Sequence, residues 1–388
     1  MQNLHPFPAR MAPLLAIEAL SSDGPAPRMV LDPMCGSGTV LHAAQRMGHQ
    51  AIGFDSDPLA VLLSQALLSR ADMDQLRKVG SEILDEAREE VDAIEVKWSD
   101  DKTKQFVEYW FDEDVVREMR ALAASIAGTD ASRPIQLLLW CAFSRMVIVK
   151  AGGVSRAMDL SHSRPHRVYL EGPSKPFQRY SREIELVASR SNRLWSKVDV
   201  AFEGVICRAD ARALPIADES IDCVITSPPY LNAIDYIRTS KFALVWMGYP
   251  ISVLSHIRSN LVGTDAGSNA QLSDQAPWHR FGAVMDLQSR YQRVVARYVD
   301  DIMSVIGEAA RVLRQDGKMT LIIGNSALRG IYIKNAEIVK WAMEQNGIQV
   351  LSESCREIPD NRRYLPPPSE TAAPTRLRQE VVITAKKS

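Results

Sequence analysis

The 388-residue chain carries 46 Lys+Arg against 47 Asp+Glu, so it has no global basic field, and a nucleic-acid partner would have to be met by a local patch. No run of about 18 apolar residues and no secretory pattern is present, so neither a membrane span nor a leader is expected. Five scattered cysteines (Cys35, Cys141, Cys207, Cys223 and Cys355) lack paired metal-ligand spacing; they fit a reduced cytoplasm and predict no metal site.

The length fits two domains, or one domain with an insertion. A short apolar strand is predicted over 28–31, ending in Asp32-Pro33-Met34-Cys35-Gly36-Ser37-Gly38-Thr39, with a helix over 40–47. Strand, glycine turn and helix open a doubly wound α/β fold. Gly36 and Gly38 would let backbone approach a ligand without a Cβ clash. A second strand over 50–54 ends at Asp55-Ser56, and a helix follows over 58–68. An acid at Asp55 suits ribose hydroxyls; a nicotinamide enzyme could use the same geometry, but the sequence lacks G-x-G-x-x-G.

Helical periodicity then dominates: 73–93, 114–126, 134–149 and 177–195. Residues 70–197 therefore read as a helical insertion, and residues 1–69 with 198–388 as the domain that carries it. Within the insertion, Arg156, His162, Arg164, His166 and Arg167 come with little acid, a composition suited to phosphate contact or to a structural loop. A strand over 205–209 leads to Asp210-Ala211. Another over 221–225 runs into Ser227-Pro228-Pro229-Tyr230, where two prolines without amide protons must stop the ladder. Alone, that turn is equally a Pro-Pro loop with a packing tyrosine. A helix over 231–247 brings Asp235, Tyr236, Arg238 and Lys241 close behind it. The stretch 250–280 reads as a polar mobile loop or lid. A long amphipathic helix (287–313), a strand (318–323), a helix (335–345) and strands at 348–353 and 380–384 follow. They complete a mostly parallel sheet of seven strands, the last two antiparallel. Pro366-Pro367-Pro368 marks an exposed loop.

Three of these segments together resemble amino-group DNA methyltransferases dependent on S-adenosyl-L-methionine. Asp32 to Thr39 is similar to that family's cofactor motif D-P-F-x-G-S-G-T, with Met34 in place of Phe. Ser227 to Tyr230 resembles its catalytic motif, and the Ser form is commonest among enzymes acting on cytosine N4. His5-Pro6-Phe7-Pro8-Ala9-Arg10-Met11 resembles the segment that folds over the methionine part of the cofactor. The resemblance implies a Rossmann-like methyltransferase fold. It also implies a cofactor site at Phe7, Pro8, Ala9, Arg10, Asp32, Pro33, Cys35, Gly36, Ser37, Gly38, Thr39, Asp55, Ser56, Asp210 and Ala211, and catalysis by Ser227, Pro228, Pro229 and Tyr230. Asp210 would bond the adenine amine. DNA is the implied partner, with Arg156, His162, Arg164, His166, Arg167, Arg238 and Lys241 as candidate contacts. A restriction endonuclease partner is admitted, and oligomeric state stays open. One departure is that the long gap falls before Asp210, whereas family members usually place recognition between that acid and the catalytic motif.

The chemistry asked of the turn is specific. An aromatic amine is a poor nucleophile because its lone pair is delocalised into the ring. The Ser227 hydroxyl and the Pro228 carbonyl can each accept an amino hydrogen, favour a pyramidal nitrogen and aim it. Tyr230 would stack on the base, which must leave the duplex to react. Cytosine N4 leads; adenine N6, an amino group of tRNA or rRNA, and a catalytically inactive nucleic-acid-binding fold remain the alternatives.

Overall fold

Seven strands form the central sheet: β1 (Met29–Asp32), β2 (Gln50–Asp55), β3 (Val205–Arg208), β4 (Ile221–Thr226), β5 (Leu313–Gly324), β6 (Ile348–Glu357) and β7 (Gln379–Lys387). They pair in the order β3-β2-β1-β4-β5-β7-β6. The computed structural model describes residues 4–8, 11–21, 27–94, 98–162, 165–195, 204–231, 235–264, 270–357 and 379–388. β1 lies parallel to both neighbours, with Leu31 opposite Ile52 on one side and Val224 on the other. β7 runs antiparallel to β5 and β6, as the sequence predicts for the last two strands.

The central strands are apolar almost throughout because helices cover both faces. α1 (Pro13–Ser21) and α2 (Thr39–Arg46) bury Leu20, Val40 and Leu41 with Val30 and Ile225 on one face. α11 (Ser289–Val312) and α12 (Asn335–Gln345) cover the other. In α11 the buried Val295, Tyr298, Val299, Ile302 and Ile306 recur at helical spacing and meet Val224, Leu321 and Ile323. Chain direction across the sheet reverses between β1 and β4, and a doubly wound sheet opens its crevice at the carboxyl ends of such a pair.

α3 (Pro58–Leu68) matches its predicted bounds because Asp57 caps it and Pro58 pre-sets its first turn. The insertion follows as α4 (Met73–Glu90), α5 (Asp101–Trp110), α6 (Glu113–Gly128), α7 (Arg133–Val147) and α8 (Pro176–Trp195). A small hairpin, Ala157–Met158 with His166–Arg167, precedes α8. The insertion's core is continuous with Leu59 and Leu63 of α3 and with Phe242 and Trp246 downstream of β4. Inside it, the buried Arg145 and Glu183 pair at 2.8 Å, and Arg179 reaches Glu183 at 2.9 Å.

Several expectations change. The stretch 250–280 is not simply a loop: α10 (Ile251–Asn260) occupies its first third and a 3-10 turn spans Trp278–Arg280. Leu254 and Ile257 bury one face of α10, while Ser252, Ser255, His256 and Arg258 give it the polarity that read as loop. The α10 start is held on α5, where the Ile251 amide donates to Thr103 Oγ1 at 2.9 Å. The helix expected over 231–247 begins only at Tyr236 as α9 (Tyr236–Leu244), because the Asp235 carboxylate caps the Arg238 amide at 3.0 Å. α5 and the hairpin Ser326–Leu328 with Ile331–Ile333 had no sequence counterpart. Pro366 to Pro368 lie outside the described residues.

Candidate active site between β1 and β4

The loop after β1 is pinned to the next strand: the Cys35 amide donates to the Phe54 carbonyl at 2.8 Å. Gly36 and Gly38 both take left-handed backbone, with φ of 52° and 82°. A Cβ on Gly38 would press on Ser64 at 3.1 Å, whereas one on Gly36 would meet nothing within 4 Å. The Gly36 side of the loop is therefore open. The Ser37 hydroxyl in the same loop is buried and has no hydrogen-bond partner among the described residues.

Three carboxylates converge here. Asp55 takes the Gly36 amide at 2.9 Å on one oxygen and the Asp57 amide at 2.9 Å on the other. Asp32 accepts the Met34 amide at 3.2 Å and the Thr226 hydroxyl at 2.7 Å. Asp57 accepts the Leu59 amide at 2.9 Å and the Ser240 hydroxyl at 2.5 Å. Their hydrogen-bond partners among the described residues are thus amides and hydroxyls rather than cations. Burial pushes Asp32 and Asp57 up to about 7 and raises Asp55 as well.

Asp210, just beyond β3, does not project freely. The Arg212 guanidinium bonds both its oxygens, at 3.0 and 2.7 Å, and also reaches Asp301 of α11 at 2.6 Å. Partial burial acts to raise Asp210, but the hydrogen bonds from Arg212 outweigh it and hold the carboxyl low. Ser56 donates to the Ala209 carbonyl at 3.2 Å, joining the ends of β2 and β3, and Ala211 is buried.

The turn after β4 is clamped from the other sheet face. The Tyr298 hydroxyl of α11 donates to the Pro229 carbonyl at 3.0 Å. The Tyr230 ring lies on Gly324 at the end of β5, and its hydroxyl donates to Glu380 at 3.1 Å. Burial pushes the Tyr230 hydroxyl up. Phe7 is buried and stacks on Tyr236 at the start of α9, and the neighbouring Leu4 carbonyl accepts from Arg145. Ala9 and Arg10 lie outside the described residues.

The basic candidates are more dispersed. Arg156 donates to the Glu108 carbonyl at the end of α5, a structural engagement. His162 and His166 sit 3.3 and 4.0 Å from Asp159, and Arg167 lies over the Tyr109 ring at 5.0 Å. Arg238 is 3.5 Å from Asp235. Lys241 sits over Phe106, and burial lowers its pKa. Arg164 lies outside the described residues.

Sequence reasoning missed Thr226, Ser240, Asp57, Arg212 and Tyr298. Only Asp57 had a local signal, the Asp-Pro pair that opens a helix; Thr226, Ser240 and Tyr298 act through distant partners, and Arg212 joins its neighbour Asp210 to the distant Asp301. Among the described residues no cluster of His, Cys, Asp or Glu could hold a metal, and no helix is long and apolar enough to cross a membrane.

No protein-family model matches the chain. It is 22% identical over 382 residues to the type II methyltransferase M.MvaI of Kocuria varians, across 92% of this chain and 84% of that one. It is 27% identical over 122 residues to the type II methyltransferase M.MjaII of Methanocaldococcus jannaschii, across 31% of this chain and 20% of the other. Among solved structures, a SAM-dependent methyltransferase of Methanosarcina mazei aligns over 98% of this chain and 99% of its own, at 9% identity and TM-score 0.34. The YcgJ protein of Bacillus subtilis aligns over 97% of both chains, at 11% identity and TM-score 0.36. Those TM-scores are low, and the fold assignment stands on the sheet order.

Proposed function

We propose that the chain is a DNA methyltransferase that transfers a methyl group from S-adenosyl-L-methionine to the exocyclic amine of a flipped base, cytosine N4 ahead of adenine N6. One observation carries this reading: the Ser227–Tyr230 turn and the Asp32–Thr39 loop close adjacent strands, β4 and β1, at the sheet's switch point. The similarity to type II methyltransferases over most of the chain supports the same reaction class.

The residues present fit the cofactor. The open side of Gly36 and the Ser37 hydroxyl, which has no partner among the described residues, suit a polar ligand, and the buried carboxylates behind the loop favour one that carries positive charge. When bound, S-adenosyl-L-methionine supplies an activated methyl group. Asp55, at the end of β2, would take the ribose hydroxyls, and Phe7, stacked on Tyr236, would wall the site.

The turn provides the acceptor side. Neither Pro228 nor Pro229 has an amide proton to compete for acceptors. The Ser227 hydroxyl and Pro228 carbonyl would take the two amino hydrogens and turn the nitrogen lone pair toward the cofactor loop. Tyr298 fixes the following carbonyl, so the turn is set before the base arrives. A paired base cannot reach this crevice, so the target must be flipped out. Serine at 227 supports cytosine as that base. The insertion α4–α8 is assigned to recognition; its hairpin is tied to α9 by the Thr239 hydroxyl, which donates to Leu160 at 3.0 Å.

The test is methyl transfer by the purified protein from labelled S-adenosyl-L-methionine to duplex DNA and to tRNA, with nucleoside mass spectrometry. N4-methylcytosine in DNA is expected; a mark confined to RNA, or none, would overturn the reading.

A further inference from the structure

Two buried hydroxyls cross from the catalytic side of the crevice to the cofactor side. Thr226, the last residue of β4, donates to Asp32 at the end of β1. Ser240 of α9 donates to Asp57, the cap of α3. Both hydroxyl-bearing residues are essentially inaccessible, at 2% and 0% exposure, so neither can touch a substrate or a cofactor.

The fold does not by itself ask for hydroxyls at these places. Valine has the shape of threonine and suits a strand at least as well, and alanine suits a helix better than serine. A strand end has no need of a buried carboxylate either, and burying one is costly unless it is hydrogen-bonded. At each place a costly carboxylate on one side meets a hydroxyl on the other, and each carboxylate is also bonded to the backbone of a cofactor-side element. A shift of either side changes both bonds at once. Resting on the methyltransferase reading, we propose that Thr226 and Ser240 are positioning residues that fix the separation between the Ser227–Tyr230 turn and the Asp32–Thr39 loop.

Transfer between two bound groups is sensitive to small displacements. Thr226→Val keeps shape and removes the hydroxyl; it is expected to lower kcat about 10-fold or more while the KM for S-adenosyl-L-methionine changes far less. Thr226→Ser restores the hydroxyl and is expected to recover most of kcat. Ser240→Ala should follow Thr226→Val, and it keeps the question open to test if the valine variant folds poorly. Equal loss in Thr226→Val and Thr226→Ser, or no loss in Thr226→Val and Ser240→Ala, would overturn the proposal. A readout apart from turnover is the crystal structure of Thr226→Val, or of Ser240→Ala in its place. A displaced Ser227–Pro229 backbone relative to Cys35–Gly38 supports the assignment, and superimposable backbones overturn it. Wild-type protein that methylates nothing would sink the functional reading alone, since the crystallographic comparison still decides the positioning role.

Discussion

The Phe7 and Tyr236 rings lie nearly parallel, with centroids 5.9 Å apart and planes 15° from each other. This contact joins a segment near the start of the chain to the helix that follows the Ser227–Tyr230 turn, where the proposed function puts a wall of the cofactor site. Phe7→Ala removes a buried aromatic and is expected to cost about 3–5 kcal/mol of stability. It should also weaken cofactor binding, since the wall is lost. Denaturant unfolding and calorimetry with S-adenosyl-L-methionine check the two effects; unchanged cofactor affinity would remove Phe7 from the site.

Tyr298 reaches the turn from the opposite sheet face. Tyr298→Phe deletes only the hydroxyl and leaves the Pro229 carbonyl without its donor. A buried acceptor left unpaired costs about 1–3 kcal/mol. The expected outcome is a lower kcat with cofactor affinity intact, read by steady-state kinetics beside calorimetry. Equal losses in both would mean that α11 supports the whole crevice and not the turn in particular.

Both contacts show where sequence reasoning stops. β1, β2, β4 and α3 were legible because a strand buried on both faces is apolar throughout, and because Asp57-Pro58 is a local helix start. The stop of β4 before Ser227–Tyr230 was legible because consecutive prolines end a strand. α10 was not, since only Leu254 and Ile257 mark its buried face against a polar remainder. Tyr298 looks like any apolar position of an amphipathic helix until Pro229 is seen beside it. Asp210 gave no sign in the sequence of being clamped, because the Arg212 that bonds it is itself held by Asp301, far along the chain on α11. Arg156 looked free for phosphate because the α5 carbonyls it bonds belong to a helix with no sequence counterpart.

Gly324 is a sensitive point for Tyr230. A Cβ there would stand 2.5 Å from Cε2 and 2.9 Å from Cδ2 of the tyrosine ring. The backbone of β5 cannot yield inside the sheet, so Gly324→Ala should move the ring and strain its bond to Glu380. Base stacking on an aromatic ring is worth about 1–3 kcal/mol. The variant is therefore expected to lose turnover by about 10-fold, with cofactor affinity nearly unchanged. Wild-type turnover in a folded Gly324→Ala protein would remove Tyr230 from the reaction.

The buried carboxylates give the site a pH signature of defined sign. Asp32 and Asp57 have folded-state values near 7, raised by burial from an ordinary 3.8. Between about pH 4 and 7 the folded protein holds protons that the unfolded chain has released, so these two groups lower stability as pH rises through that window. Their contribution is fully present below pH 4 and is lost above about 7. Other groups act in the opposite sense, Asp210 among them, so the measurement is a difference: the stability of wild type minus that of Asp32→Asn should fall between pH 5 and 7. Ligand binding carries the reverse sign. A cationic ligand favours the ionised carboxylates, so affinity for S-adenosyl-L-methionine should rise from pH 6 to pH 8, with proton release on binding at the lower pH. Calorimetry in buffers of different ionisation enthalpy measures that release. Affinity independent of pH, with no proton release at the lower pH, would show that the cofactor's positive charge does not act on Asp32, Asp55 and Asp57.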